Sequence, residues 1–169
     1  MIKIKVSGLS NGTYDYYFQG KISDLEIPEP YTGNFTTDIV LKKFDNQFIL
    51  DSVTGIKADL VCDRCAKDFQ PVITSSFKLV YLFRNKIDEV DTEKEDVVYL
   101  HPETDKIELD KDIRDYAILA VPMKKLCNED CKGLCPKCGK NLNEGPCECT
   151  EEVTDERWEQ LQKLKTKNN

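Results

Sequence analysis

The sequence predicts an α+β protein: an antiparallel, barrel-like β-sheet with one packed helix, a Cys-rich module and a C-terminal helix. Three observations carry that expectation. The first half of the chain reads as successive apolar stretches of period two, separated by short turns. From Asp110 the apolar spacing turns helical. Five of the eight cysteines then fall between Cys131 and Cys149.

In "IKIKV", Ile2, Ile4 and Val6 share one face, and Lys3 and Lys5 take the other. "TYDYYFQ" continues as a second extended piece, and "PEPYTGN", Pro28 to Asn34, is a break by composition. "TTDIVLKKF" and "NQFILDSV" follow, with a turn near Asp45-Asn46, and "GIKADLVC" is read as a new segment starting after Gly55. "PVITSSFKLVYLF" is the clearest strand: Ile73, Ser75, Phe77, Leu79, Tyr81 and Phe83 fall on one face. Consecutive antiparallel strands with short turns make a meander or an open barrel the natural arrangement. A short strand is expected at "DVVYLH".

In "DKDIRDYAILAVPM", Ile113, Tyr116, Ala117, Ala120 and Val121 lie on one helical face, with Asp110 as the expected N-cap and Pro122 as the stop. The tail "TDERWEQLQKLKTKNN" reads as an amphipathic helix capped by Thr154 or Asp155, with Trp158, Leu161 and Leu164 as a narrow stripe and a frayed end. The expected organisation is a β-rich domain over 1–126 that ends in the first helix, a Cys-rich module over 127–150, and the C-terminal helix and tail over 151–169.

The chain has 169 residues and a net charge of -7, so as a whole it does not read as a general nucleic-acid binder. The charge is uneven. Between Asp88 and Asp112, eleven Asp or Glu stand against three Lys, a net of -8, which leaves the rest of the chain near +1. That run is either a solvated surface or a docking site for a basic partner. The N-terminus, "MIKIKVSG", has no apolar leader, and no stretch is long enough to span a membrane. A soluble, cytoplasmic protein is expected, and in a reducing compartment clustered cysteines point to metal or redox chemistry.

Structural Zn²⁺ takes four ligands in a tetrahedron, and a C-x2-C turn aims two thiolates at one centre. Cys62-Asp63-Arg64-Cys65 has that spacing, as does Cys135-Pro136-Lys137-Cys138; Cys147-Glu148-Cys149 is a tighter pair, and Cys127 and Cys131 are four apart. The economical partition puts Cys135, Cys138, Cys147 and Cys149 around one ion, with "GKNLNEGP" as the connecting loop. Cys62, Cys65, Cys127 and Cys131 are then the second set. Alternatively, Cys127 and Cys131 stay unpaired or exchange with the neighbouring site. One or two zinc ions are therefore expected. All eight candidates are thiols, which suits structural rather than catalytic zinc. The single histidine, His101, beside Pro102, reads as a surface residue. No phosphate-binding glycine loop and no G-x-S-x-G is present, so a non-enzyme is expected.

At this point four blocks resemble the YceD family, the large ribosomal RNA subunit accumulation proteins. They are "CDRC" (Cys62 to Cys65) before a long strand, "DYAILAVP", "CKGLCPKCGKNLN" followed by "CEC", and "DERWEQLQKL". In the last, Glu156 stands where the family shows a proline, a mild departure at a first helical turn. The resemblance covers roughly Leu60 to Leu164. It implies a role in accumulation of large-subunit (23S) ribosomal RNA, with zinc that supports a fold. It leaves open whether the direct partner is the RNA, its precursor or a basic ribosomal protein. Lys124, Lys125, Lys132, Lys137 and Lys140 are the candidate RNA contacts, because zinc knuckles can present lysines to phosphates. No small-molecule substrate and no membrane are expected. The alternative reading is a thiol redox or metal-sensing regulator.

Overall fold

The computed structural model of the protein describes residues 1–83 and 96–149. In chain order its elements are β1 (Lys3–Lys5), β2 (Gly12–Lys21), a 3-10 turn (Ile22–Leu25), β3 (Tyr31–Phe44), β4 (Gln47–Ala58), β5 (Leu60–Val61), β6 (Asp68–Phe69), β7 (Val72–Phe83), β8 (Val97–Leu100), β9 (Lys106–Glu108) and α1 (Asp110–Leu119). The main sheet has five strands in the order β2-β3-β4-β7-β8; β1 pairs with β9, and β5 with β6.

One face of the main sheet is the core, and alternation in the sequence dictates it. Phe35, Ile39 and Leu41 of β3, Phe48, Leu50 and Ile56 of β4, and Ile73, Phe77, Leu79 and Tyr81 of β7 are all buried. On the opposite face Asp51 lies 3.6 Å from Lys42 and 3.5 Å from Lys78. A row of hydroxyls crosses the buried face: Thr37 Oγ1 is 2.7 Å from Thr54 Oγ1 and 3.3 Å from Ser52 Oγ. Ser75 Oγ, at the β7 end of the row, is buried without a hydrogen-bond partner among the described residues.

The helix α1 covers this face with Ile113 and Ala117, both buried. Tyr116 stacks on Phe77 with ring centroids 4.6 Å apart, and the buried Tyr31 hydroxyl donates to the Ala117 carbonyl. The helix is thereby tied to the sheet near its C-terminal end, just before the chain enters the first cysteine cluster.

Several expectations need correction. Among the described residues the sheet is open, with β2 and β8 as its two edges, which do not pair with each other. The last strand, β8, is four residues long and runs parallel to β7, so it does not extend the antiparallel meander toward closure. Gly55 does not start a segment; it sits within β4, opposite Thr36 and Thr74, because pairing on both sides holds the strand through it. Tyr31 to Asn34 belong to β3, which carries an irregularity between Thr32 and Phe35 instead of a break. The N-cap of α1 is Leu109, not Asp110. Asp110 instead accepts the Ile2 N–H at 2.6 Å and lies 4.0 Å from the N-terminal amine.

Part of the acidic run has a structural use. Glu108 pairs with Lys3, and the Asp105 carbonyl accepts the Val6 N–H at 2.9 Å. With Asp110 these residues hold β1 against β9, a pair that the sequence reading missed. The expected helix over 151–169 and the acids from Asp88 to Glu95 lie outside the described residues.

Candidate metal centre

The chain leaves the main sheet after β4 for a short excursion, the β5–β6 hairpin, whose tip is Cys62-Asp63-Arg64-Cys65. The Cys62 carbonyl accepts the Ala66 N–H at 2.9 Å, and the Lys67 carbonyl accepts the Cys62 N–H at 2.9 Å. Ala66 adopts left-handed backbone, at φ 55, which closes the turn. Both thiols then point to one side, where Cys127 and Cys131 arrive from the segment after α1. Asp63 and Arg64 bring that segment in. Asp63 donates its N–H to the Lys125 carbonyl (2.8 Å) and accepts the Lys125 N–H on its carboxylate (2.6 Å). The Arg64 guanidinium donates to the carbonyls of Glu129 (3.1 Å) and Cys131 (2.8 Å).

The result is a first cluster of four sulfurs from Cys62, Cys65, Cys127 and Cys131, all within 4.8 Å of one another. Cys62 Sγ is 3.8 Å from Cys131 Sγ, and Cys65 Sγ is 3.6 Å from Cys127 Sγ. A tetrahedron with metal–sulfur bonds of about 2.3 Å has edges of about 3.8 Å, so the spacing fits a four-thiolate ion site. Cys62, Cys65 and Cys131 are buried and Cys127 is half-buried.

Cys135, Cys138, Cys147 and Cys149 form a second cluster with the same spread, within 4.8 Å. Its knuckle repeats the first: the Cys135 carbonyl accepts the Gly139 N–H at 2.9 Å, and the Lys140 carbonyl accepts the Cys135 N–H at 2.9 Å. This cluster is more open, with Cys135 buried, Cys138 exposed, and Cys147 and Cys149 half-buried. The structure thus brings the eight cysteines together in two sets of four, all as free thiols.

Each cluster separates its thiols by acidity. The backbone N–H of Cys127, with those of Cys65 and Arg64, lowers the Cys62 thiol to about 6. The N–H groups of Cys138 and Lys137 lower Cys135 to about 6. Burial and the neighbouring thiols of Cys65, Cys62 and Cys131 push Cys127 up to about 12. The Cys138 thiol, followed by burial, pushes Cys149 up to about 12. The first thiolate in a cluster therefore forms easily and the last forms only against its neighbours' charge. A divalent cation removes that penalty. An all-sulfur donor set favours thiolate-preferring ions such as Zn²⁺, and four sulfurs complete a tetrahedral shell.

The candidate lysines spread around the clusters. Lys124 and Lys132 are exposed and Lys125 is half-buried. Lys140 is exposed but donates its ammonium to the Pro146 carbonyl at 2.8 Å; Lys137 is exposed and also engaged. His101 stands on the surface beside Glu103 and belongs to neither sulfur cluster. Asp63, Arg64 and Asn143, which organise the clusters, escaped the sequence reading. Asp63 and Arg64 sat in view as two charged residues inside a C-x2-C turn.

Among the described residues no helix is long and apolar enough to cross a membrane. No solved structure matches the chain. Among curated proteins, it is 27% identical over 164 residues to the chloroplastic large ribosomal RNA subunit accumulation protein YCED homolog 1 of Arabidopsis thaliana, covering 83% of this chain and 50% of that protein. An uncharacterised protein of Mycobacterium tuberculosis is 31% identical over 112 residues, covering 64% of this chain and 53% of its own length. The homolog 1 from Zea mays is 46% identical over 50 residues, 28% of this chain and 17% of the maize protein. The chain spans about half the length of the first two of these relatives. The model of the large ribosomal RNA subunit accumulation protein YceD matches residues 51–165, a stretch that contains both cysteine clusters, and the chain belongs to the YceD family.

Proposed function

We propose that this chain is a non-enzymatic, zinc-binding factor of large ribosomal subunit biogenesis, which supports accumulation of 23S ribosomal RNA by contacting the RNA, a ribosomal protein, or both. The observation that carries the proposal is family membership over residues 51–165. Two quartets of thiols support the zinc, and their complete sulfur shells leave a bound ion no open position for a substrate. Lys124, Lys125 and Lys132 near the clusters support contact with phosphates. The acids of the 88–112 run support an encounter with a basic ribosomal protein, since opposite charge mainly raises on-rate and selectivity. The cytoplasm is the proposed compartment.

Depletion of the protein in cells, with 23S and 16S ribosomal RNA measured in parallel, tests the role: a selective fall in 23S is expected, and unchanged 23S would remove it. Titration of large-subunit RNA fragments at two salt concentrations tests the RNA contact, and absence of binding at both salts rules it out. Metal analysis of the purified chain is expected to find about two tightly held zinc ions with protected thiols. Thiols that react freely while the fold persists would favour the redox or metal-sensing alternative.

A further inference from the structure

The two clusters are joined by more than the three residues between Cys131 and Cys135. The Leu134 N–H donates to the Arg64 carbonyl at 3.1 Å, so the segment that leaves the first cluster lies directly on its knuckle. On its other side, the Gly133 carbonyl accepts the Leu142 N–H at 2.9 Å. Leu134 bridges Asn141 in the second cluster's connecting loop. From that loop Asn143 reaches back. Its Nδ2 donates to Cys131 Sγ at 3.3 Å, and its Oδ1 accepts the Lys132 N–H at 2.8 Å. Asn141 Oδ1 holds it in place, accepting from Asn143 Nδ2 at 2.7 Å and from the Asn143 N–H at 3.1 Å.

Asn143 therefore hydrogen-bonds a sulfur of the first cluster from within the loop that the second cluster closes. The loop's two ends, Cys138 and Cys147, belong to that second cluster. An ion there would fix both ends and hold Asn143 where its amide meets Cys131. A donor to a ligating sulfur orients the ligand and stabilises its charged form, and loss of such a partner usually weakens metal binding by about 10–100-fold.

We propose that the two cysteine clusters form one coupled metal unit, in which Asn143 is the positioning residue through which metal in the second cluster raises the affinity of the first. The proposal rests on the reading of the clusters as metal sites. Coupling of this kind is reciprocal. Removing either cluster lowers the affinity of the other by the same factor, and Asn143 carries that factor.

The test uses the full chain, Co²⁺ as the spectroscopic probe and Zn²⁺ in competition with a chromophoric chelator. The variants are Cys147→Ser with Cys149→Ser, Cys62→Ser with Cys65→Ser, and Asn143→Ala, alone and combined with each pair. Loss of the second cluster is expected to weaken the first by about 10–100-fold. Asn143→Ala alone should weaken the first by a similar factor. Added to a chain that lacks the first cluster, Asn143→Ala should leave the second cluster's affinity unchanged. Two ions that bind with the same affinities whether or not the other cluster is present would overturn the coupling and leave the metal reading intact. A second cluster weakened by Asn143→Ala in the absence of the first would show that Asn143 merely holds its own loop, which also overturns it. Failure of the unaltered chain to bind any metal would remove both readings. If a cysteine variant fails to fold, Asn143→Ala in the chain with both clusters still decides the factor.

Discussion

Gly133 and Gly139 have nearly the same backbone, φ 76 and φ 72, but different surroundings. A Cβ on Gly139 would meet nothing within 4 Å; on Gly133 it would stand 3.0 Å from the Arg64 carbonyl oxygen. That oxygen cannot simply retreat, because it accepts the Leu134 N–H at 3.1 Å and belongs to the knuckle of the first cluster. Alanine in left-handed backbone costs about 1–2 kcal/mol at either position. Reduced freedom of the unfolded chain offsets about 0.4–1 kcal/mol of that. Gly139→Ala should therefore cost about 1 kcal/mol. Gly133→Ala adds an overpacking cost of about 1–3 kcal/mol, for a total of about 2–4 kcal/mol. For a chain of 169 residues each kcal/mol moves the melting temperature by about 2–4 °C. The assay is thermal unfolding of the metal-loaded protein, paired with chelator-driven metal release, and Gly133→Ala should also speed release from the first cluster. Equal losses for the two alanine variants would refute the steric account of Gly133.

Three further predictions concern other parts of the molecule. Tyr31→Phe removes the hydroxyl bond to the Ala117 carbonyl, which still accepts the Ala120 N–H at 3.1 Å, so the cost should be only about 1 kcal/mol in urea unfolding. Ser75→Ala deletes a buried hydroxyl with no partner among the described residues and should leave stability unchanged or raise it by up to about 1 kcal/mol; a clear loss would mean that the hydroxyl is satisfied. The third prediction is one of pH. Cys62 and Cys135 are lowered from 9.0 to about 6, so their thiolates favour the folded state fully above 9.0, and this contribution is lost as pH falls through about 6. At pH 5 all four thiols of a site must surrender protons to a metal, whereas at pH 8 Cys62 or Cys135 is already ionised. Calorimetry in buffers of different ionisation enthalpy should show fewer protons released per ion at about pH 8 than at about pH 5, with weaker binding on the acid side.

The long strands were legible because burial of one sheet face enforces period two over many residues, as from Ile73 to Tyr81. Lys106–Glu108 was not, because three residues carry no period and their partner strand lies about a hundred residues away. The parallel direction of β8 was not legible for a related reason: it depends on the connection into β8, which no local pattern records. The cysteine pairs were legible because C-x2-C spacing is itself a geometry, but spacing left the partition of Cys127 and Cys131 open. The clamps on the clusters were not legible. Asp63, Arg64 and Asn143 act mostly on backbone groups, and a hydrogen bond to a peptide carbonyl or N–H imposes no residue type on its partner.

Cys65 and Cys127 meet across a separation of 62 residues, and the chain between them contains β6, β7, β8, β9 and α1. An ion at the first cluster would thus act as a cross-link that closes a large loop. By analogy with a disulfide of that span, closure restricts the unfolded chain by about 4 kcal/mol. Domains of this kind have total stabilities of about 5–15 kcal/mol, and 4 kcal/mol is about a thousandfold in the ratio of folded to unfolded chains. Metal shortage would then act on the protein's lifetime before it acted on any contact surface, because chains that spend more time unfolded are the ones proteases remove. Under the proposed role, abundance would follow the supply of metal.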